Sequence, residues 1–232
     1  MRSSKWHTLG NVYLLVEPAG RLASEDARTL APGTDGVLEV VERDANWVEV
    51  AIWNVDGSRA ELSGNGTRIA ATWLARQLGA DEVLVRVGIR EVVARVLPNG
   101  RIEQDLGGVV VGAPERISGL DVTPVDVGNQ HAVVLADPGE ITRIGPLLET
   151  HSRFPNRTNV QVARVEEPGR VTARVWERGV GETQASGTSA VAIAAATHGQ
   201  GEVVVVFPGG ELTVRLEDGH AWLIGPAAVE LG

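Results

Sequence analysis

Two short stretches constrain this chain more than any other part of it. Ser63-Gly64-Asn65-Gly66-Thr67-Arg68 and Ser186-Gly187-Thr188-Ser189 are each a polar, glycine-containing turn that runs directly into an alanine-rich apolar segment. Those segments, Ile69-Ala70-Ala71-Thr72-Trp73-Leu74-Ala75 and Ala190-Val191-Ala192-Ile193-Ala194-Ala195-Ala196, carry almost no charge on any face. That is the pattern of a helix buried all round. A helix with no solvent face must be enclosed by other elements, so the duplication predicts two enclosures.

Small residues at a helix start leave the first backbone N–H groups pointing outward, and the helix dipole adds roughly half a positive charge there. Such an end suits a carboxylate or phosphate. Either turn alone reads equally well as an ordinary Ser/Gly N-cap. Two of them, one in each half of the chain, suggest two half-sites for one small anionic ligand.

The segments around the two turns read mainly as strands. Val12–Glu17, Val37–Glu42, Asn46–Trp53, Glu82–Val87, Arg90–Leu97 and Arg101–Leu106 precede or follow the first helix. Asp121–Val127, Ala132–Ala136, Thr158–Val165, Arg170–Trp176, Glu202–Phe207, Glu211–Leu216 and Ala221–Ile224 do the same around the second, with a further helix at 140–149. Val alternating with charged residues marks sheets with one wet face. Residues 21–36 are mixed and carry no clear period. The expected fold is α/β (α+β): two pseudo-symmetric domains, 1–114 and 115–232, each an antiparallel sheet wrapped around a central buried helix. The active site is expected in the cleft between them, and the last strand is a candidate to return to the first domain.

Composition narrows the function. A net charge of −9 over 232 residues argues against nucleic acid or an acidic membrane as partner, since both call for a basic face. No apolar run is long enough for a membrane span, and the first residues lack a signal-peptide pattern, so a cytoplasmic location is expected. Cysteine is absent, which excludes disulfides and thiolate metal sites. His7, His131, His151, His198 and His220 show no metal-binding spacing, so no bound transition metal is expected.

Six segments in order, His7-Thr8-Leu9-Gly10-Asn11, Asn54-Val55-Asp56-Gly57-Ser58, Ser63-Gly64-Asn65-Gly66, Gly128-Asn129-Gln130-His131, Asn156-Arg157-Thr158-Asn159-Val160 and Glu177-Arg178-Gly179-Val180-Gly181-Glu182-Thr183, resemble the diaminopimelate epimerases. The resemblance runs over nearly the whole chain. It implies a metal-free, pyridoxal-free amino-acid epimerase in which one group removes the α-proton and a second returns a proton to the other face. It further implies that Asn11, Asn54, Asn129, Asn159 and Arg178 hold the substrate, with Arg178 taking a distal carboxylate, and that Gly64, Asn65, Gly187 and Thr188 bind the α-carboxylate and amine. His131 and Glu177 fall where the family places helpers of the proton-transfer groups. Family members often pair, so a homodimer is expected. Taken alone, asparagines in turns, an arginine after a strand and a histidine beside one all have ordinary structural uses.

The sequence departs from the family at the chemistry itself. Ser63 and Ser186 stand where the family has its two catalytic cysteines. A thiol of pKa near 8.5 is lowered to roughly 3.5–7.5 at a helix N-terminus, whereas a serine hydroxyl is far less acidic. Three explanations fit: His131 and Glu177 act as true bases with the hydroxyls as relays, the serines perform an easier isomerisation or dehydration, or the chain is a cysteine-to-serine variant. A fold relative with different proton-shift chemistry, an isomerase or dehydratase using Glu177 or His131, and a catalytically silent amino-acid binder are further alternatives. A smaller departure lies in Gly33-Thr34-Asp35-Gly36, where the family usually has glutamine at the position of Gly36, and the chain is shorter than typical members.

Overall fold

The computed structural model describes residues 1–17, 20–60 and 62–230. The chain divides into two compact units, Met1–Asp105 with Ile224–Gly232, and Leu106–Leu223. In the first, the order is β1 (Arg2–Thr8), β2 (Asn11–Glu17), α1 (Ser24–Leu30), β3 (Gly36–Arg43), β4 (Trp47–Trp53), α2 (Gly64–Leu78), β5 (Glu82–Val87), β6 (Arg90–Val96) and β7 (Ile102–Gly108). In the second, β8 (Val110–Val111) and β9 (Glu115–Ile117) lead into β10 (Leu120–Asp126), β11 (Gln130–Leu135), α3 (Ile141–Glu149), β12 (Asn159–Glu167) and β13 (Arg170–Glu177). Then follow β14 (Gly181–Thr183), α4 (Gly187–Thr197), β15 (Gly201–Phe207), β16 (Gly210–Glu217) and β17 (His220–Gly225). The final strand, β18 (Ala228–Val229), pairs with β1 through Trp6 and Val229, inside the first unit.

Strands dominate and the buried helices are where the two motifs put them, so the mixed α/β class read from the sequence holds. The sheets themselves are mixed, not antiparallel throughout as expected. β2 runs parallel to β3, β4 to β5, β11 to β12 and β13 to β15. Each parallel join is bridged by a helix, α1, α2, α3 and α4 in turn. The reason is geometric: hairpins give antiparallel neighbours, while a parallel neighbour needs a crossover, usually a helix. The same alternation of hairpin and helical crossover therefore occurs in both units.

All residues of α2 from Gly64 to Ala75 and of α4 from Gly187 to Ala195 are buried. Alanine makes this possible, because a narrow helix can lie close against a curved sheet on several sides. At Gly66 even a Cβ would stand 2.9 Å from Leu38 Cδ2 on β3. Gly79, at φ +64°, closes α2 with the left-handed conformation that favours glycine. The helix α1 falls in the stretch that showed no period. It has only seven residues, and the Asp26 side chain accepts the Ala23 N–H at 2.8 Å to start it, a local device that periodicity does not reveal.

Candidate active site

In the first unit, Ser63 is the N-cap of α2 and its Oγ accepts the Gly66 N–H at 3.1 Å. The same Oγ lies 3.4 Å from the hydroxyl of Tyr13 on β2. Behind the helix start sits Arg68, wholly buried. Its guanidinium donates to the Gly64 carbonyl at 2.9 Å, to Asn65 Oδ1 at 2.6 Å and to Thr8 Oγ1 at 2.9 Å. Burial lowers its pKa to about 9, with Tyr13 acting in the opposite sense, so at neutral pH it remains a cation. Asn11, also buried, donates to the Thr8 carbonyl. Thr8, Asn11, Gly64, Asn65 and Arg68 thus form one cluster. Asn54 lies in a separate turn, where its side-chain amide donates to Ser58 Oγ at 2.9 Å.

In the second unit, Ser186 caps α4 with φ −141° and ψ 129°, against −140° and 116° for Ser63. The two caps share one backbone conformation but differ in side-chain use: Ser186 makes no side-chain cap bond. Beside it runs a buried polar chain. Gln161 Nε2 lies 2.9 Å from His131 Nδ1 and donates to Ser189 Oγ at 2.9 Å. His131 Nε2 lies 2.8 Å from Asn129 Oδ1, and Asn129 Nδ2 donates to Thr188 Oγ1 at 3.4 Å. These directions are mutually consistent with one tautomer, protonated at Nε2. Asn129, His131 and Thr188 are thereby joined, with Gln161 and Ser189 added by the structure. Gln161, an alternating strand residue, gave no sign of this in the sequence.

Glu177 ends β13 and Arg178 follows it, in a segment fixed from two sides. Asn159 Oδ1 accepts the Arg178 backbone N–H at 3.0 Å while its Nδ2 donates to the Gln130 carbonyl at 3.1 Å. The buried Glu149, at the end of α3, accepts from Arg157, from Trp176 Nε1 at 2.8 Å and from the Gly179 N–H at 2.6 Å. Glu177 Oε1 accepts the Thr183 hydroxyl at 2.6 Å, three residues before Ser186. Gly187 begins α4 and is buried with Thr188.

His131 is pushed down to a pKa of about 3, first by burial and then by the Arg178 charge. The folded protein therefore leaves it neutral while the unfolded chain protonates it near 6.5. Between those values the unfolded state binds more protons, so stability falls as pH falls. Urea titrations from pH 6.5 to 5 should show unfolding free energy dropping with a slope that approaches about 1.4 kcal/mol per unit. His131→Gln should flatten that slope, and an unchanged slope would contradict the assignment.

Curated relatives match the sequence over nearly its full length. The chain is 33% identical to the diaminopimelate epimerase of Synechococcus sp. (strain JA-3-3Ab), covering 96% of this chain and 94% of that one. It is 35% identical to the diaminopimelate epimerase of Magnetococcus marinus, with 97% and 94% covered. The chain belongs to the diaminopimelate epimerase family. A sequence profile of that family, described as diaminopimelate epimerase, matches residues 123–230. Among solved structures, one described as a predicted epimerase from Pseudomonas aeruginosa superposes with a TM-score of 0.75 at 18% identity, over 99% of this chain and 97% of that one. That likeness is one of fold. Membership in the family makes this a cofactor-independent amino-acid epimerase by class, and no helix among the described residues is long and apolar enough to cross a membrane.

Proposed function

We propose that the protein interconverts LL- and meso-2,6-diaminopimelate by moving the α-proton, with Ser63 and Ser186 at the proton-transfer positions. The observation that carries this reading is the matched pair of serine caps, with near-equal backbone angles, at the starts of two buried helices. Two-base chemistry asks for one group on each face of Cα, and each unit supplies one candidate.

In this reading the N–H groups at Gly64, Asn65, Gly187 and Thr188 receive the α-carboxylate and stabilise the charge that develops on deprotonation. The buried Arg68 cation, bonded to the Gly64 carbonyl and to Asn65, adds to the positive potential at the start of α2. Arg178 takes the distal carboxylate. Asn159 acts through Arg178, since both ends of its amide are spent on backbone groups, and Asn11, Asn54 and Asn129 hold the remaining polar atoms of the substrate. Glu177 is the base on the Ser186 side. His131 orients Asn129 rather than accepting a proton, because both ring nitrogens are engaged and the ring stays neutral.

The test is conversion of LL- and meso-diaminopimelate by the purified protein, followed by chiral chromatography, with proline, glutamate and aspartate alongside. Interconversion of the diaminopimelate isomers with the others unchanged is expected. No change in either isomer, or conversion of proline alone, would overturn the assignment.

A further inference from the structure

We propose that Tyr13 is a further catalytic residue, its hydroxyl exchanging protons with Ser63 Oγ while that serine acts at Cα; this rests on the proton-transfer role given above to Ser63. Three observations in the first unit carry the inference. The Tyr13 hydroxyl lies 3.4 Å from Ser63 Oγ. That is longer than a mature O–H···O bond, as catalytic contacts without substrate often are, tightening in the complex. Second, the ring reaches this position across a glycine. Tyr13 is paired with Gly36 in the parallel β2–β3 register, and a Cβ on Gly36 would stand 2.8 Å from Tyr13 Cε1 and 2.9 Å from the Trp53 carbonyl. The residue where a glutamine is expected from the family resemblance is therefore the one whose missing side chain makes room for the phenol.

Third, the buried Arg68 cation and Tyr13 interact electrostatically in the attractive sense. The same attraction favours negative charge on the Tyr13 oxygen. Arg68 has no carboxylate among its hydrogen-bond partners in the described residues; its acceptors are the Gly64 and Pro226 carbonyls, Asn65 Oδ1 and Thr8 Oγ1. Its charge is left for whatever anion forms nearby.

The chemistry addresses the weakness of serine. An ordinary phenol has a pKa near 10, within about two units of an ordinary thiol, whereas an alkyl hydroxyl is far less acidic. When Ser63 Oγ–H delivers its proton to the Cα carbanion, the Tyr13 O–H bond breaks, its proton forms the new Oγ–H bond, and phenolate remains. In the opposite direction the phenolate takes the Ser63 proton as Oγ takes one from Cα. Atoms and charge balance without a further reactant.

The experiment measures α-proton exchange of LL- and meso-diaminopimelate in deuterated water for four proteins: the chain as it is, Tyr13→Phe, Ser63→Cys, and Tyr13→Phe combined with Ser63→Cys. The expected result is a loss of about 10²-fold or more in kcat for Tyr13→Phe, with KM within threefold, and a loss below threefold for the same change when residue 63 is cysteine. A thiol carries its own exchangeable proton, so cysteine rescues the missing phenol, which a purely structural tyrosine would not allow. Equal losses in both backgrounds, or no loss in the serine background, would overturn the role of Tyr13 while leaving the epimerase reading intact. Absence of exchange by the unaltered chain would overturn both, since no proton would then pass through Ser63.

Discussion

Replacing Ser63 and Ser186 together by cysteine is expected to raise the rate of α-proton exchange by at least about 10²-fold. Both positions cap a buried helix, where the exposed N–H groups and the dipole favour a thiolate. Each unit by which a group's acidity approaches the working pH is worth about tenfold in the population of its active form. The two single variants should not contribute equally. Ser63 has Tyr13 at 3.4 Å, whereas Ser186 makes no side-chain cap bond. Ser186→Cys alone is therefore expected to recover more activity than Ser63→Cys alone. Initial-rate NMR on the three variants checks this, and a double variant no faster than the unaltered chain would show that acidity at these positions is not limiting.

The second large effect is expected from Glu149→Ala. A carboxylate in the last turn of a helix faces the negative end of the dipole, so α3 itself gives no reason for one there. Its three donors do: the Arg157 guanidinium, the Trp176 indole and the Gly179 N–H. Alanine leaves two buried or half-buried donors without an acceptor and a cation without its partner, a loss of about 3 kcal/mol in unfolding free energy. The loss also frees the turn that carries Glu177 and Arg178. Chemical denaturation should show the drop in stability, and the surviving folded protein should show KM for diaminopimelate raised about tenfold, as one lost charged contact implies. Glu149→Gln keeps one acceptor oxygen and should fall between. A change below 0.5 kcal/mol for Glu149→Ala would show the network to be incidental.

What the sequence revealed and what it hid follow from distance along the chain. The strands came from local alternation, and the helices α2 and α4 from runs such as Ile69–Ala75 that leave no polar face. The parallel joins were hidden, because whether a strand returns by hairpin or by helical crossover to a parallel neighbour is decided between segments, not within them. Tyr13 was hidden for the same reason. In Val12-Tyr13-Leu14-Leu15 it reads as apolar filler, and its partner lies 50 residues away. Gly36 was noticed only as a missing contact, and the ring that fills its place could not be read from either segment. Glu149 looked like the end of a helix, while its meaning comes from Trp176 on β13 and Gly179 in the turn after it. His131 was read as a helper of proton transfer. Its burial and the partners on both nitrogens, invisible in a lone histidine between a turn and a strand, are what support the orienting role proposed above.

The most direct test of the account is the position of deuterium at early times. LL-diaminopimelate is incubated with the protein in deuterated water, and substrate and product are separated before equilibrium. With one proton-transfer group serving each face of Cα, the account predicts that the meso product carries solvent deuterium at the inverted carbon while recovered LL substrate still carries hydrogen. Product that retains the original hydrogen, or substrate labelled as fast as product, would mean a single group serving both faces, and would contradict the paired roles of Ser63 and Ser186.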